Sequence, residues 1–255
     1  PAVVEAANQL EAEGFRVERI PYSGSAGVDL DAFRSMVDCD VAVVGVMLAN
    51  NETGLIMPVG AIAEIAAKHG VPVHCDAVQA AGKVPLNFIE LGVTTMAIAG
   101  HKFGGPRGIG ALVTLKCAAL PPLWSGGGQE EGMRSGSHAA ALAVAMGEAA
   151  RAASKWLEAG GPSQIEEMRN DLEDGLERIP NAHILCRDLN RLPNTALVGF
   201  EGWTGQELVL RFDQAGVMVS SGAACHSDTS GLSQSAKLVD AGPNVGVIRI
   251  SLGPD

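Results

Sequence analysis

The stretch Val71-Pro72-Val73-His74-Cys75-Asp76-Ala77-Val78-Gln79 is an apolar run that ends on an aspartate. A second run, Thr95 to Ala99, passes into Gly100-His101-Lys102 and then the glycine-rich Gly104-Gly105-Pro106-Arg107-Gly108. Short runs of this kind alternating with helical stretches are the pattern of parallel strands buried on both faces by crossover helices, so the chain reads as an α/β protein. Open parallel sheets bind ligands just beyond the carboxyl ends of their strands, and that is where Asp76 and Lys102 fall.

Working outward, residues 2–13 read as a helix, Arg16 to Ile20 as a strand, Asp29 to Met36 as a helix and Val41 to Met47 as a strand. Pro58 to His69 reads as a helix opened by proline and closed by Gly70, and Ile109 to Leu115 as a further strand that can run antiparallel. The Gly-, Pro- and Ser-rich stretch from Pro121 to Ser137 reads as a long loop, and His138 to Leu157 as an alanine-rich helix broken at Gly160-Gly161-Pro162. A boundary is expected there, between a large domain over 1–159 and a smaller α/β domain over 160–255. In the second part Ser163 to Glu177 and Gly205 to Ala215 read as helices, Ala196 to Phe200 and Val217 to Ser220 as extended segments, and Ile248 to Gly253 as a strand running into a turn.

The net charge of -11 and the lack of any Lys/Arg run speak against a nucleic-acid surface. The longest apolar run, Val41 to Ala49, is far short of the roughly 20 residues that span a bilayer. No signal segment opens the chain, so a cytoplasmic protein is expected. The five cysteines form no CxxC pair and make a poor disulfide framework, which fits a reducing compartment; no metal site is assigned. Pro1 at one end and a strand entering a turn at the other suggest that segments are missing at both ends.

Asp76 alone reads more readily as the cap of a following helix, and Lys102 alone more readily as a solvated loop lysine. Together, an acid and an amine at neighbouring strand ends are the pair a pyridoxal cofactor needs. The amine forms a Schiff base, and the carboxylate keeps the pyridine nitrogen protonated so that the ring accepts electrons. Gln79 and His101 stand where they can flank such a ring, or serve as a helix-start polar residue and a core histidine. Cys225 follows Ser220-Ser221-Gly222-Ala223-Ala224 and precedes a polar stretch from His226 to Ser235. That context suits an exposed loop thiol whose pKa a protonated His226 lowers, although free cysteines are often small core residues.

Five motifs occur in order: Met47-Leu-Ala-Asn-Asn-Glu-Thr-Gly54, His74-Cys-Asp-Ala-Val-Gln79, Gly100-His-Lys102 with Gly105-Pro106, Gly126-Gly-Gly-Gln-Glu130 with Arg134-Ser-Gly136, and Ser220-Ser-Gly-Ala-Ala-Cys225. The series resembles the cysteine desulfurases, a branch of the class V aminotransferases of pyridoxal phosphate (PLP) fold type I, and among them the longer-loop type that serves iron-sulfur assembly. The resemblance implies a mainly parallel large-domain sheet covered by helices, with a smaller α/β C-terminal domain. It implies conversion of L-cysteine to L-alanine, with the sulfur held as a persulfide on Cys225 for an acceptor such as an iron-sulfur scaffold.

Carried onto this chain, the resemblance assigns Lys102 to the Schiff base and Asp76 to the pyridine nitrogen. Asn51 and Gln79 fall beside the ring oxygen, and His101 helps bind the cofactor. Ser137 falls where a hydroxyl reaches the phosphate of a neighbouring subunit, which implies a homodimer. Arg249 matches the arginine that holds the substrate carboxylate, with Asn51 beside it; on its own Arg249 reads as a strand residue with a surface partner. Cys39, Cys75, Cys117 and Cys186 match no motif and read as structural. The chain departs from the family in Ala99, where a serine or threonine is usual. The family's phosphate-binding Gly-Ala-Thr segment and stacking histidine lie upstream of the matched stretch. Rival readings are another class V enzyme, such as a selenocysteine lyase or an aminotransferase, and a non-catalytic fragment that docks with sulfur-transfer partners.

Overall fold

The structure, a computed structural model, describes residues 2–23, 27–116, 118, 120–221 and 244–253. Cys225 and Cys117 lie outside the described residues. Two sheets organise the rest. The first has the order β1 (Val44–Met47), β2 (Val73–Asp76), β3 (Thr95–Ala99) and β4 (Gly110–Thr114), with the first three parallel and β4 antiparallel to β3. The second is antiparallel: β5 (Ala182–Leu185), β6 (Thr195–Glu201) and β7 (Val245–Ser251).

Between the strands of the first sheet run α3 (Val59–Ala67) and α4 (Phe88–Leu91), and α2 (Leu30–Met36) precedes them. In α3, Val59, Ile62, Ala63, Ile65 and Ala66 are all buried, so this helix is apolar over most of its surface because it packs on both the sheet and its helical neighbours. α2 starts at Asp29, whose carboxylate accepts from the amides of Asp31 and Ala32 at 3.0 and 2.9 Å, supplying acceptors for donors that the first helical turn leaves unpaired.

The register puts the strand ends together. Met47 pairs with Asp76, and Asp76 with Ala97, so the segments after β1, β2 and β3 leave from one edge. β1 begins at Val44 rather than Val41: the Val44 amide donates to the Pro72 carbonyl at 2.9 Å, and Pro72 itself has no N–H with which to extend the ladder. The expected strand from Arg16 to Ile20 is not one. β1 occupies an edge of the sheet, and no described strand pairs with residues 16–20, which run without ladder hydrogen bonds after α1 (Ala2–Ala12).

The glycine-rich stretch from Pro121 to Ser137 is a loop with one short 3-10 turn, Glu130–Gly132. α5 (Ala140–Glu158) ends where Gly160 adopts a left-handed backbone, φ 82°, and α6 (Gly161–Leu176) begins at once with Pro162 in its first turn. α7 (Gly205–Gln214) carries a capping box in which Thr204 and Glu207 bond each other's backbone. β5 was not foreseen, and Val217 to Ser220 contributes only an isolated bridge, Ser220 to Arg249.

The large core holds Phe33, Val46, Ile62, Val73 and Cys75, and it also takes in Leu192 from the segment before β6. That segment is laced to the turn after β1: Ile56 N–H donates to Asn190 at 2.9 Å, and Leu192 N–H to Gly54 at 2.8 Å. Arg191 lies here, its guanidinium bonded twice to Glu173 of α6 at 2.5 and 2.6 Å, with both side chains buried.

Candidate active site

Three turns and one strand make the site. After β2, the Asp76 carboxylate accepts the Val78 amide at 3.0 Å, which bends the chain into a succession of turns rather than a helix. Gln79 lies in those turns, half-buried. After β3, Gly100–Lys102 form a 3-10 turn, and the Gly105 amide returns to the Gly100 carbonyl at 2.8 Å, closing a tight loop around Lys102. Lys102 is half-buried and His101 exposed.

After β1, the Asn50 side chain accepts from the amides of Glu52 and Thr53 at 2.8 and 3.0 Å, which fixes the Asn50–Thr53 turn and sets Asn51 at its outer corner. Arg249, in the middle of β7, sends its Nη1 to the main-chain carbonyl of Asn51, while its buried Nε has no hydrogen-bond partner among the described residues. Ser220 and Arg249 exchange both backbone hydrogen bonds, at 2.6 and 3.1 Å.

Of the residues named from the sequence, Asp76, Gln79 and Lys102 share one edge of the sheet, and Arg249 and Asn51 meet there from opposite ends of the chain. Ser137 is exposed on the loop before α5, its carbonyl accepting from Arg134 at 3.4 Å, and no hydrogen bond among the described residues joins it to Asp76, Gln79 or Lys102. Cys75 is wholly buried, and its thiol is pushed up to about 12, first by burial and then by the Asp76 charge; it is an inert core residue. Cys186 is half-buried and pushed up to about 11 by burial against a smaller opposing pull from Arg191. Cys39 is exposed, so burial gives it no packing role.

Sequence reasoning missed Lys83. Its Nζ donates to the Gln79 carboxamide oxygen at 3.0 Å. Its amine is pushed down to about 8, first by burial and then by the positive charges of Lys102 and Arg249. Arg249 is itself pushed below the usual guanidinium range by burial, against an opposing pull from Glu52. Its place four residues after Gln79, directly after Gly82, is visible in the sequence, but its burial beside two other cations is not.

Three neighbouring, half-buried cations repel one another and favour an anion, and the carboxylate of Asp76 at the end of the adjacent strand favours a cationic group. A phosphorylated pyridine aldehyde offers both, with a carbonyl for an amine, so the residues present fit PLP. The sequence profile of the family described as "Aminotransferase class-V" matches residues 1–255. The chain belongs to the class V aminotransferase family.

Among family members, it is 41% identical to "Cysteine desulfurase" of Cereibacter sphaeroides, over 89% of this chain and 58% of that protein. It is 36% identical to "Cysteine desulfurase NifS" of Azotobacter vinelandii, over 99% of this chain and 63% of that one. Among solved structures, a "NIFS-LIKE PROTEIN" superposes with a TM-score of 0.88 at 34% identity, covering 99% of this chain and 67% of that one. "SspA in complex with cysteine" gives 0.80 at 26% identity, over 99% and 70%. These neighbours place this class V chain in the cysteine desulfurase branch and confirm the type I fold. The chain spans 58 and 63% of the two curated relatives it matches above.

Proposed function

We propose that this chain carries the catalytic core of a PLP-dependent cysteine desulfurase. The observation that carries the reading is the placement of Asp76 and Lys102 at the carboxyl ends of adjacent parallel strands, with Arg249 brought to Asn51 beside them. When bound, PLP supplies an electron sink for the bonds at the substrate's α-carbon.

Lys102 would hold the cofactor through its amine, and the same amine is the group placed to move the α-proton. Asp76 keeps the ring nitrogen protonated, and Gln79 and His101 flank the ring. The buried Nε of Arg249, without a partner among the described residues, supports its role as the clamp on the substrate carboxylate, next to Asn51. Cys225, as thiolate, attacks the substrate sulfur. A sulfur–sulfur bond forms, the carbon–sulfur bond breaks with its electron pair left on carbon, and protonation there yields alanine. The persulfide on Cys225 then passes to a sulfur-acceptor protein such as an iron-sulfur scaffold.

The same proposal includes a cytoplasmic homodimer in which Ser137 of one subunit serves the cofactor of the other. Its exposed position before α5, a helix with only Met146 buried, supports that reading. The division into domains over 1–159 and 160–255 is likewise proposed, supported by the two separate sheets and the break at Gly160.

The test is borohydride reduction of the protein after incubation with PLP, followed by peptide mass mapping. An adduct on Lys102, together with alanine formation from L-cysteine that C225S abolishes, is the expected result. A colourless protein without adduct, or an adduct on Lys83 instead, overturns it.

A further inference from the structure

Lys83 is the member of the cationic cluster to which the proposed reaction assigns no task. It belongs to the turn that follows β2, four residues after Gln79, and this turn is clamped against the lysine loop. Gly82 has φ 74°, and a Cβ on it would come within 2.4 Å of the Phe103 Cβ. Only a glycine there lets the Gln79–Lys83 turn close on Phe103, the neighbour of Lys102. The clamp therefore fixes Lys83 relative to both Gln79 and Lys102.

A lysine amine at this distance from a carboxamide has one way to bond it. The ammonium has three donors and no acceptor, whereas the carboxamide has an accepting oxygen on one side and a donating NH2 on the other. With Lys83 Nζ 3.0 Å from Gln79 Oε1, the oxygen is committed to Lys83 and the NH2 is left for the opposite side. Without Lys83 the two ends of the amide are nearly equivalent in shape and free to exchange.

We propose that Lys83 is a positioning residue that locks the carboxamide of Gln79, so that Gln79 offers a hydrogen-bond donor, and not an acceptor, to the cofactor cleft. The inference rests on the reading that PLP is held on Lys102. A donor there suits an anionic ring oxygen, and an acceptor turned to the same point repels it. The burial of Lys83 and the lowering of its amine to about 8 show that the lysine stands among the cleft's charges rather than in free solvent. A surface pair that merely stiffens the turn would have neither property.

The test is a double-mutant cycle on the full-length holoenzyme, read by the dissociation constant of PLP and by the pH at which its visible absorption changes, with melting temperature recorded for each variant. K83M is expected to weaken PLP about tenfold, the loss of one charge-assisted hydrogen bond, and to shift the pH midpoint. K83R, which keeps a donor-only cation, restores most of both. In a Q79A background K83M adds nothing further. If K83M leaves affinity and midpoint unchanged, or its effect persists undiminished in Q79A, the positioning role is overturned while the wider reading stands. If the unmutated protein shows no visible band with PLP, the wider reading falls and this inference with it. Should K83M not fold, K83Q takes its place under the same criteria.

Discussion

Arg249 of β7 donates from Nη1 to the main-chain carbonyl of Asn51, a contact that spans 198 positions of sequence and ties the antiparallel sheet to the turn after β1. Because that carbonyl takes one Nη group, the rest of the guanidinium is held in a fixed orientation, with the buried Nε unmatched among the described residues. A lysine at this position reaches with one point charge and loses the planar fork. R249K is therefore expected to raise KM for L-cysteine by about tenfold or more, while the visible spectrum of bound PLP stays unchanged. Steady-state kinetics with a spectrum of each variant checks both halves. A loss confined to kcat would point instead to a role in the chemical step.

The depressed amine of Lys83 makes stability depend on pH in a defined direction. Its folded-state value, about 8, lies below the ordinary 10.5, so between these values the unfolded chain binds more protons than the folded one. Stability from this group thus rises as pH climbs from about 8 toward 10.5, and below 8 its full cost is present, on the order of 3 kcal/mol at most. Urea melts of the cofactor-free protein at pH 7 and pH 10 are expected to show K83M more stable than the unmutated protein at pH 7, with the difference shrinking at pH 10. A constant difference would mean that the amine is not buried as described.

How much of this was legible in the sequence depended on whether the cause was local. The strand Thr95–Ala99 and the turn that carries Lys102 follow from a short apolar run meeting glycines, and both stand where the sequence puts them. Residues 16–20 carry the same local pattern and form no strand, because a strand is a pairing and β1 is an edge with no described strand on that side. The meeting of Asn51 with Arg249 is also non-local; only the resemblance to a family brought those two residues to attention. Lys83 was visible as a letter four positions from Gln79, but its importance comes from burial beside two other cations, which no spacing shows.

Glu173 and Arg191 give the largest expected effect on stability. Both are buried, the guanidinium grips the carboxylate with two hydrogen bonds at 2.5 and 2.6 Å, and Arg191 also donates to the Thr195 carbonyl at 3.0 Å. Removing one partner strands a charge in a low-dielectric interior, so E173Q or R191M is expected to cost about 3–5 kcal/mol. The double variant E173L/R191M leaves no buried charge and is expected to recover much of that loss. Chemical denaturation of the three variants measures it, and additive losses in the double variant would count against a coupled pair.

Thiol reactivity separates the described cysteines. Alkylation proceeds through the thiolate, so it needs both exposure and an accessible pKa. Cys39 is exposed, whereas Cys75 is wholly buried with its thiol pushed up to about 12, and half-buried Cys186 is pushed up to about 11. Brief treatment of the native protein with iodoacetamide at pH 8, followed by peptide mass mapping, is expected to label Cys39 while Cys75 and Cys186 stay unmodified until denaturant is added. Early labelling of Cys75 would mean that β2 opens in the native state, and the carboxylate at its end, Asp76, would then lack the fixed support that its role beside Lys102 requires.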